Sequence, residues 1–328
     1  MRSMDWPGPE IFAPESIDEE TRALNESILA RLAAAPDIWS FSLPEIRKAR
    51  AAGRGSFPLP PPDSHTIELT IEGDDGNPIG LRVMHPLTRA PRGTYLHFHG
   101  GGWVMGTARE NDVRLRRLVE VTGLSAISVD YRLAPEHPFP AAIDDCLTAA
   151  LWLNGEGGAD FERSVLVIGG ESAGAHLAVA VLIALRDRYR LTPFAAANLT
   201  AGCFDLSLTP SVRNWGTDKL ILNTRDVEKF VEHFVPTTVD RRDPAVSPLY
   251  ADLTDMPPAL FSCGTADLLI DDTLFMASRW LAAGNLTEID IAPGGCHVFQ
   301  SFETRLAEAS HARIETFINS RIDAVLSR

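Results

Sequence analysis

Ser172 sits in Gly170-Glu171-Ser172-Ala173-Gly174, a G-x-S-x-G pattern. Two glycines around a serine recur by chance, so the flanks matter more than the pattern. The apolar run Val165-Leu166-Val167-Ile168 precedes it, and a helix-like run from Ala173 to Arg186 follows. A strand entering a helix through so tight a turn holds the serine in a strained conformation, which needs small neighbours. Gly170, Ala173, Gly174 and Ala175 are small. The N-terminus of the following helix offers free N–H groups and a positive dipole end to a developing oxyanion. The chemistry indicated is attack by a serine hydroxyl on an acyl carbon.

Such an attack needs donors for the tetrahedral oxygen. His99-Gly100-Gly101-Gly102-Trp103 follows the apolar run Thr94 to Phe98. Successive glycines leave backbone N–H groups open to close approach. The expected oxyanion hole is the N–H groups of Gly101, Gly102 and Ala173. A phosphate loop is disfavoured, because no G-x-x-x-x-G-K-[ST] is present and no lysine follows the glycines. His97 and His99 flank the loop without further metal ligands in evidence. His99 is read as a brace for the glycines and His97 as a satisfied strand residue, and no metal site is expected.

A serine hydroxyl also needs a base and an orienting acid, which on this kind of sheet come from loops after later strands. Of nine histidines, His297 has the right place. It lies in Gly294-Gly295-Cys296-His297, after the strand-like Thr287 to Ile291 and before a long C-terminal helix. His311 falls inside that helix and is expected to be exposed. His176 falls within the helical run after Ser172, and His233 within the less regular stretch Asp205 to Ser247. Asp267 is the natural acid, because it follows the run Ala259 to Cys263 in the loop Gly264-Thr265-Ala266-Asp267. Asp271 and Asp272 come one helical turn later, where carboxylates favour a helix start. The expected catalytic set is Ser172, His297 and Asp267.

These residues need a scaffold of strand ends. Strand-like runs occur at Thr66 to Ile71, Ile79 to His85, Thr94 to Phe98, Ala126 to Val129, Val165 to Ile168, Ala259 to Ser262 and Thr287 to Ile291. Helical patterns alternate with them at Asp112 to Val121, Ala141 to Leu153, Ala173 to Arg186, Asp271 to Ala283 and Phe302 to Val325. Short apolar strands joined by helices imply an α/β class with a mostly parallel sheet covered on both faces. Before it, Ile17 to Ala34 and Pro44 to Ala52 read as helices, and Gly53 to Asp63 as a Gly- and Pro-rich linker. Between Asp205 and Ser247 the pattern degrades, which fits either an insertion that forms a lid with the N-terminal helices or ordinary surface helices.

The bulk properties agree. The chain has 328 residues and is 45% hydrophobic, enough for one large core with a small lid. A net charge of −14 argues against nucleic acid and anionic lipid as partners. Cys146, Cys203, Cys263 and Cys296 form no CxxC pair and read as free thiols. Met1 to Glu10 has no apolar stretch of signal-peptide length, and no run approaches a membrane span. A cytoplasmic location without a stable membrane anchor is expected.

Taken together, these stations resemble the hormone-sensitive-lipase-like esterases, the bacterial family IV carboxylesterases. The His99 to Trp103 stretch is similar to that family's HGGG block. Asp130 to Ala142, Asp-Tyr-Arg-Leu-Ala-Pro-Glu-His-Pro-Phe-Pro-Ala-Ala, resembles its long internal signature closely. Tyr131, Arg132 and Glu136 are expected to act structurally there. Glu171 stands where the family commonly has aspartate, Ala175 where it has glycine, Leu268 where it has proline and Trp103 where it has phenylalanine. None of these departures removes a catalytic group. The resemblance implies an α/β-hydrolase fold, a mostly parallel eight-stranded sheet flanked by helices. Residues 1–60 and about 205–247 would form a helical cap, and 61–204 with 248–328 the catalytic domain. It implies a small-molecule ester of short to medium acyl chain as substrate, no cofactor, and a homodimer as one open assembly. Trp103, Trp215, Phe230 and Phe234 would shape the acyl pocket. The rivals are an arylformamidase-type amidase and a non-catalytic receptor on the same fold.

Overall fold

A computed structural model describes residues 7–327. Of the stretch Met1 to Glu10, in which no signal peptide is expected, residues 1–6 lie outside the described residues, as does residue 328 at the other end. Eight strands form one sheet: β1 (Ile67–Glu72), β2 (Pro78–Met84), β3 (Thr94–Phe98), β4 (Ser125–Asp130), β5 (Leu166–Glu171), β6 (Phe194–Thr200), β7 (Ala259–Gly264) and β8 (Thr287–Ala292). Their spatial order is β1-β2-β4-β3-β5-β6-β7-β8. β1 and β2 pair antiparallel, and β2 meets β4 antiparallel; every later pairing is parallel.

Nine helices accompany it: α1 (Glu19–Ala34), α2 (Leu43–Ala51), α3 (Asp112–Thr122), α4 (Ala141–Asn154), α5 (Ala173–Ala184), α6 (Pro210–Trp215), α7 (Thr224–Phe234), α8 (Ile270–Ala282) and α9 (Arg305–Leu326), among the described residues. Side chains of one strand alternate between two cores. Leu96 and Phe98 of β3 join the core under α4, α5 and α8, while Tyr95 joins Leu115, Val119, Phe317 and Ile318 of α3 and α9 on the other face. α5 is apolar all round because it is buried all round; only Ala180 and Ile183 of its twelve residues are partly exposed. Among the described residues no helix is long and apolar enough to cross a membrane.

β6 escapes the apolar pattern. Its sequence, Phe-Ala-Ala-Ala-Asn-Leu-Thr, has neither a β-branched run nor alternation. It becomes a strand because it sits between β5 and β7, where small side chains fill both tight faces: Ala196 toward α9, Ala197 and Leu199 toward α5.

The N-terminal helices and the insertion meet over the C-terminal edge of the sheet. Ile28 of α1 packs with Leu220, Ile221 and Phe299, and the Asn25 side chain donates to the Gly294 carbonyl at 2.7 Å. Arg47 of α2 donates to the carbonyls of Val104 and Ala134, each at 2.7 Å, and pairs with Glu136 at 2.8 Å. Trp39 Nε1 donates to Asp226 of α7 at 2.8 Å. Amphipathic α7 points Val227, Phe230, Val231 and Phe234 inward. Asp271 and Asp272 do more than begin a helix. Asp272 accepts from the N–H groups of Phe204 and Asp205 and from the Thr209 hydroxyl, and Asp271 accepts from the Ser211 N–H. These two carboxylates tie down the root of the insertion.

Candidate active site

The parallel strands β3, β5, β7 and β8 end at one edge, and each delivers one part of the site. β5 ends at Glu171, so Ser172 occupies the turn into α5. Its φ of 56° and ψ of −120° mark a strained, left-handed backbone. Gly174 must be glycine here, since a Cβ would lie 1.9 Å from the Phe98 carbonyl oxygen. Trp103 (φ 62°) and Val298 (φ 49°), beside Gly102 and His297, are strained in the same sense. Non-glycine strain of this kind costs about 1–3 kcal/mol per residue and persists only where the surroundings enforce it.

The three expected partners lie in line. The Ser172 hydroxyl is 3.0 Å from His297 Nε2, and His297 Nδ1 is 2.9 Å from Asp267 Oδ2. The other Asp267 oxygen accepts from the Leu269 N–H at 2.9 Å, which fixes the carboxylate's plane. Ser172, His297 and Asp267 are 9%, 3% and 1% exposed, so their interactions run in a low-dielectric setting where each is strengthened.

The glycine loop faces them. Gly101 has φ 125°, and a Cβ there would meet the Met105 carbonyl oxygen at 2.0 Å. Among the described residues nothing accepts a hydrogen bond from the N–H groups of Gly101, Gly102 or Ala173. Those three donors therefore stand free beside Ser172. His99 braces the loop: its Nδ1 lies 2.8 Å from the Gly100 carbonyl, and its ring stacks on Tyr131 at 4.2 Å. The Tyr131 hydroxyl donates to the His99 carbonyl at 2.7 Å. His97 is satisfied within β3, with Ser128 at 2.8 Å and Glu171 at 2.9 Å on its two nitrogens.

These groups border a cavity of about 940 Å³. Its walls include Ser172, His297, Gly101 and Gly102, together with the apolar Ile38, Leu222, Phe230 and Phe302. Of the four aromatics expected to shape it, Phe230 alone is at the wall. Trp103 is buried beneath the glycine loop, stacked on Phe234 at 4.7 Å, and its Nε1 donates to His176 Nδ1 at 3.1 Å. Trp215 packs between the insertion and α1, away from the cavity. The segment 56–61, read as a linker, is instead part of the cavity wall. His311 is half-buried, with Nε2 3.0 Å from the Gln300 carbonyl, and it too lines the cavity. Burial pushes its pKa down to about 4.

One further group has no signal in the sequence, and it partners the acid already noted beside the serine. Arg114 of α3 reaches into the wall and pairs with Glu171 at 3.0 Å. Glu171 is buried with its charge. Burial opposes that charge, but Arg114, His97 and the Gly100 N–H outweigh it and hold the carboxyl well below the usual range. The one signal in the sequence was the presence of an acid beside the serine.

Comparison with known proteins identifies the fold and the relatives. Residues 95–301 match the family described as alpha/beta hydrolase fold. Esterase LipI of Mycobacterium tuberculosis is 32% identical over 272 residues, covering 80% of this chain and 83% of LipI. Carboxylesterase NlhH of the same species is 31% identical over 278 residues, 82% of this chain and 86% of NlhH. The solved hyperthermophilic esterase from the archaeon Pyrobaculum calidifontis superposes with a TM-score of 0.80 at 28% identity, over 94% of this chain and 99% of that one. A hormone-sensitive lipase from a metagenome library gives a TM-score of 0.80 at 27% identity, over 93% and 99%.

Proposed function

The chain belongs to the alpha/beta hydrolase family, and from that premise we propose that it is a carboxylesterase acting on short- to medium-chain carboxylic esters. The observation that carries this reading is the unbroken line from Ser172 Oγ through His297 to Asp267, at 3.0 and 2.9 Å, opening on a cavity beside free N–H donors. Relatives named for ester hydrolysis support the substrate class.

In this scheme His297 Nε2 takes the Ser172 proton as Oγ attacks the ester carbon. Asp267 holds Nδ1–H toward itself and stabilises the imidazolium. The N–H groups of Gly101, Gly102 and Ala173 receive the tetrahedral oxygen. Collapse expels the alcohol, which takes its proton from His297, and leaves an acyl group on Ser172. Water, deprotonated by His297, then releases the acid. No metal or organic cofactor enters these steps. Residues 1–60, described from residue 7 onward, and about 205–247 serve as a cap, whose Ile38, Leu222 and Phe230 bound the space for the substrate.

Ser172→Ala tests the reading with p-nitrophenyl butyrate. Turnover is expected to fall by about 10⁴-fold or more. Wild-type turnover in that variant would end the assignment.

A further inference from the structure

Glu171 precedes the proposed nucleophile, yet its carboxylate points at the opposite loop. Its Oε1 accepts from the Gly100 N–H at 2.7 Å. Its Oε2 meets His97 Nε2 at 2.9 Å and Arg114 Nη2 at 3.0 Å. The contact is close: a Cβ on Gly100 would lie 3.0 Å from the Glu171 carbonyl oxygen and 3.3 Å from its Cγ. One side chain thus bridges the serine turn and the glycine loop, and nitrogens of two side chains, His97 and Arg114, hold its far oxygen.

The consequence follows from peptide geometry. The Gly100–Gly101 peptide is trans, so its C=O and N–H point in opposite directions. His99 Nδ1 engages that C=O from one side at 2.8 Å. The Gly101 N–H must then face the other way, and among the described residues nothing accepts a hydrogen bond from it. The Gly100 N–H, one peptide earlier, is held by Glu171. Gly100 is therefore gripped at both of its polar ends, and the direction of the next N–H is no longer free.

We propose that Glu171 is a positioning residue for the oxyanion hole: by holding the Gly100 N–H it sets the Gly101 N–H at a fixed distance and angle from Ser172. The proposal rests on the esterase reading above. Arg114 and His97 are part of the device, because they anchor the carboxylate that reaches Gly100. Glutamine at this position has a single carbonyl oxygen. It cannot accept from Gly100 and from Arg114 together, and its amide N–H₂ would face a donor. Aspartate keeps both oxygens but is one methylene short of spanning the gap.

The test compares wild type, Ser172→Ala, Glu171→Gln and Glu171→Asp with p-nitrophenyl butyrate, and with an alkyl trifluoromethyl ketone whose adduct places an oxyanion in the hole. In Glu171→Gln, kcat is expected to fall about 10- to 100-fold, somewhat less than the loss of a whole oxyanion donor. KM should stay within about threefold, since the ground-state carbonyl depends little on these donors. The inhibition constant for the ketone should rise by the same factor as kcat/KM falls. The acid limb of the pH profile should stay where wild type has it. Glu171→Asp should show a smaller loss with the same pairing of kcat and inhibition constant, and it decides the matter if Glu171→Gln does not fold. Wild-type kcat in a folded Glu171 variant would overturn the proposal. So would a loss of kcat with an unchanged ketone constant and a displaced acid limb, which would mean that Glu171 acts on His297 by charge. A wild type without esterase activity would sink the esterase reading and this proposal with it. An active wild type with unaffected Glu171 variants would sink this proposal alone.

Discussion

On the Ser172 side of the cavity, each residue of the proposed triad follows a strand end, and backbone atoms do most of the holding. Ser172 N–H donates to the Thr200 carbonyl at 2.8 Å, Asp267 is fixed by the Leu269 N–H, and Gly100 is gripped from both sides. On the roof side, α1, α2 and α7 are joined by side chains from distant parts of the chain. Trp39 bonds to Asp226, Arg47 reaches Glu136, and an exposed Arg225–Asp37 pair closes the rim. The first plan ties each group to backbone that the sheet itself holds, and so leaves little room for change. The second encloses a space and can vary its shape residue by residue. Under the proposed function, reaction chemistry and substrate choice fall to parts of the molecule that obey different rules.

The contrast breaks if a change on the Ser172 side leaves the reaction intact. Asp267→Asn keeps the size of the side chain but presents an amide to His297 and so disturbs its tautomer. A fall in kcat/KM of about 10³- to 10⁴-fold is expected, with the fold retained. Near-native rates in steady-state assays would show that His297 needs no orienting carboxylate.

The seam between the two regions gives a pH effect of middle size. His176 of α5 spends both ring nitrogens: Nδ1 accepts from Trp103 Nε1, and Nε2–H donates to the Val246 carbonyl of the insertion at 2.8 Å. Burial pushes its pKa down to about 4, against 6.5 in an exposed histidine. Between those values the unfolded chain binds the proton and the folded protein does not. Folding stability therefore falls as pH drops from about 6.5 to about 4, and the loss is complete below that. The size is about 3 kcal/mol by linkage. Glutamine can make the same two bonds without titrating. Denaturant unfolding of His176→Gln at pH 7 and pH 4 should show an acid loss smaller than that of wild type by roughly this amount. Equal losses in both proteins would remove His176 from the seam.

The roof gives the smallest effect. The Phe230 ring lies where a Cβ on Gly102 would be only 2.4 Å away, so it bounds the space above the glycine loop. Trp39 packs edge-on against it at 5.4 Å. Phe230→Leu should widen that space. The ratio of kcat/KM for an octanoate ester over a butyrate ester should rise about tenfold, the scale expected from a few methylenes of altered packing. An unchanged ratio across a chain-length series would move the limit of the pocket elsewhere.

The same contrast explains what could be read from the amino acids. Ser172, Asp267, His297 and the glycines of 100–102 were legible because each is announced locally, by an apolar strand before it and a turn composition around it. Seven strands were legible for the same reason. β6 was not, because its alanines are selected by neighbours on both sides and carry no pattern of their own. Trp103 and Phe234 were expected at the pocket and instead stack on each other beneath the loop. Aromatic character shows that a residue is buried without showing against what. The cavity wall formed by 56–61 and the bridge from Glu171 to Gly100 depend on contacts between segments far apart in sequence, which no local signal records.

The central claim is that Ser172 is the group that becomes acylated. Incubation with a fluorophosphonate followed by peptide mass analysis tests it directly. One adduct per chain is expected, on the peptide that carries Ser172, and none in Ser172→Ala. An unlabelled wild type, or an adduct on any other residue, would contradict it.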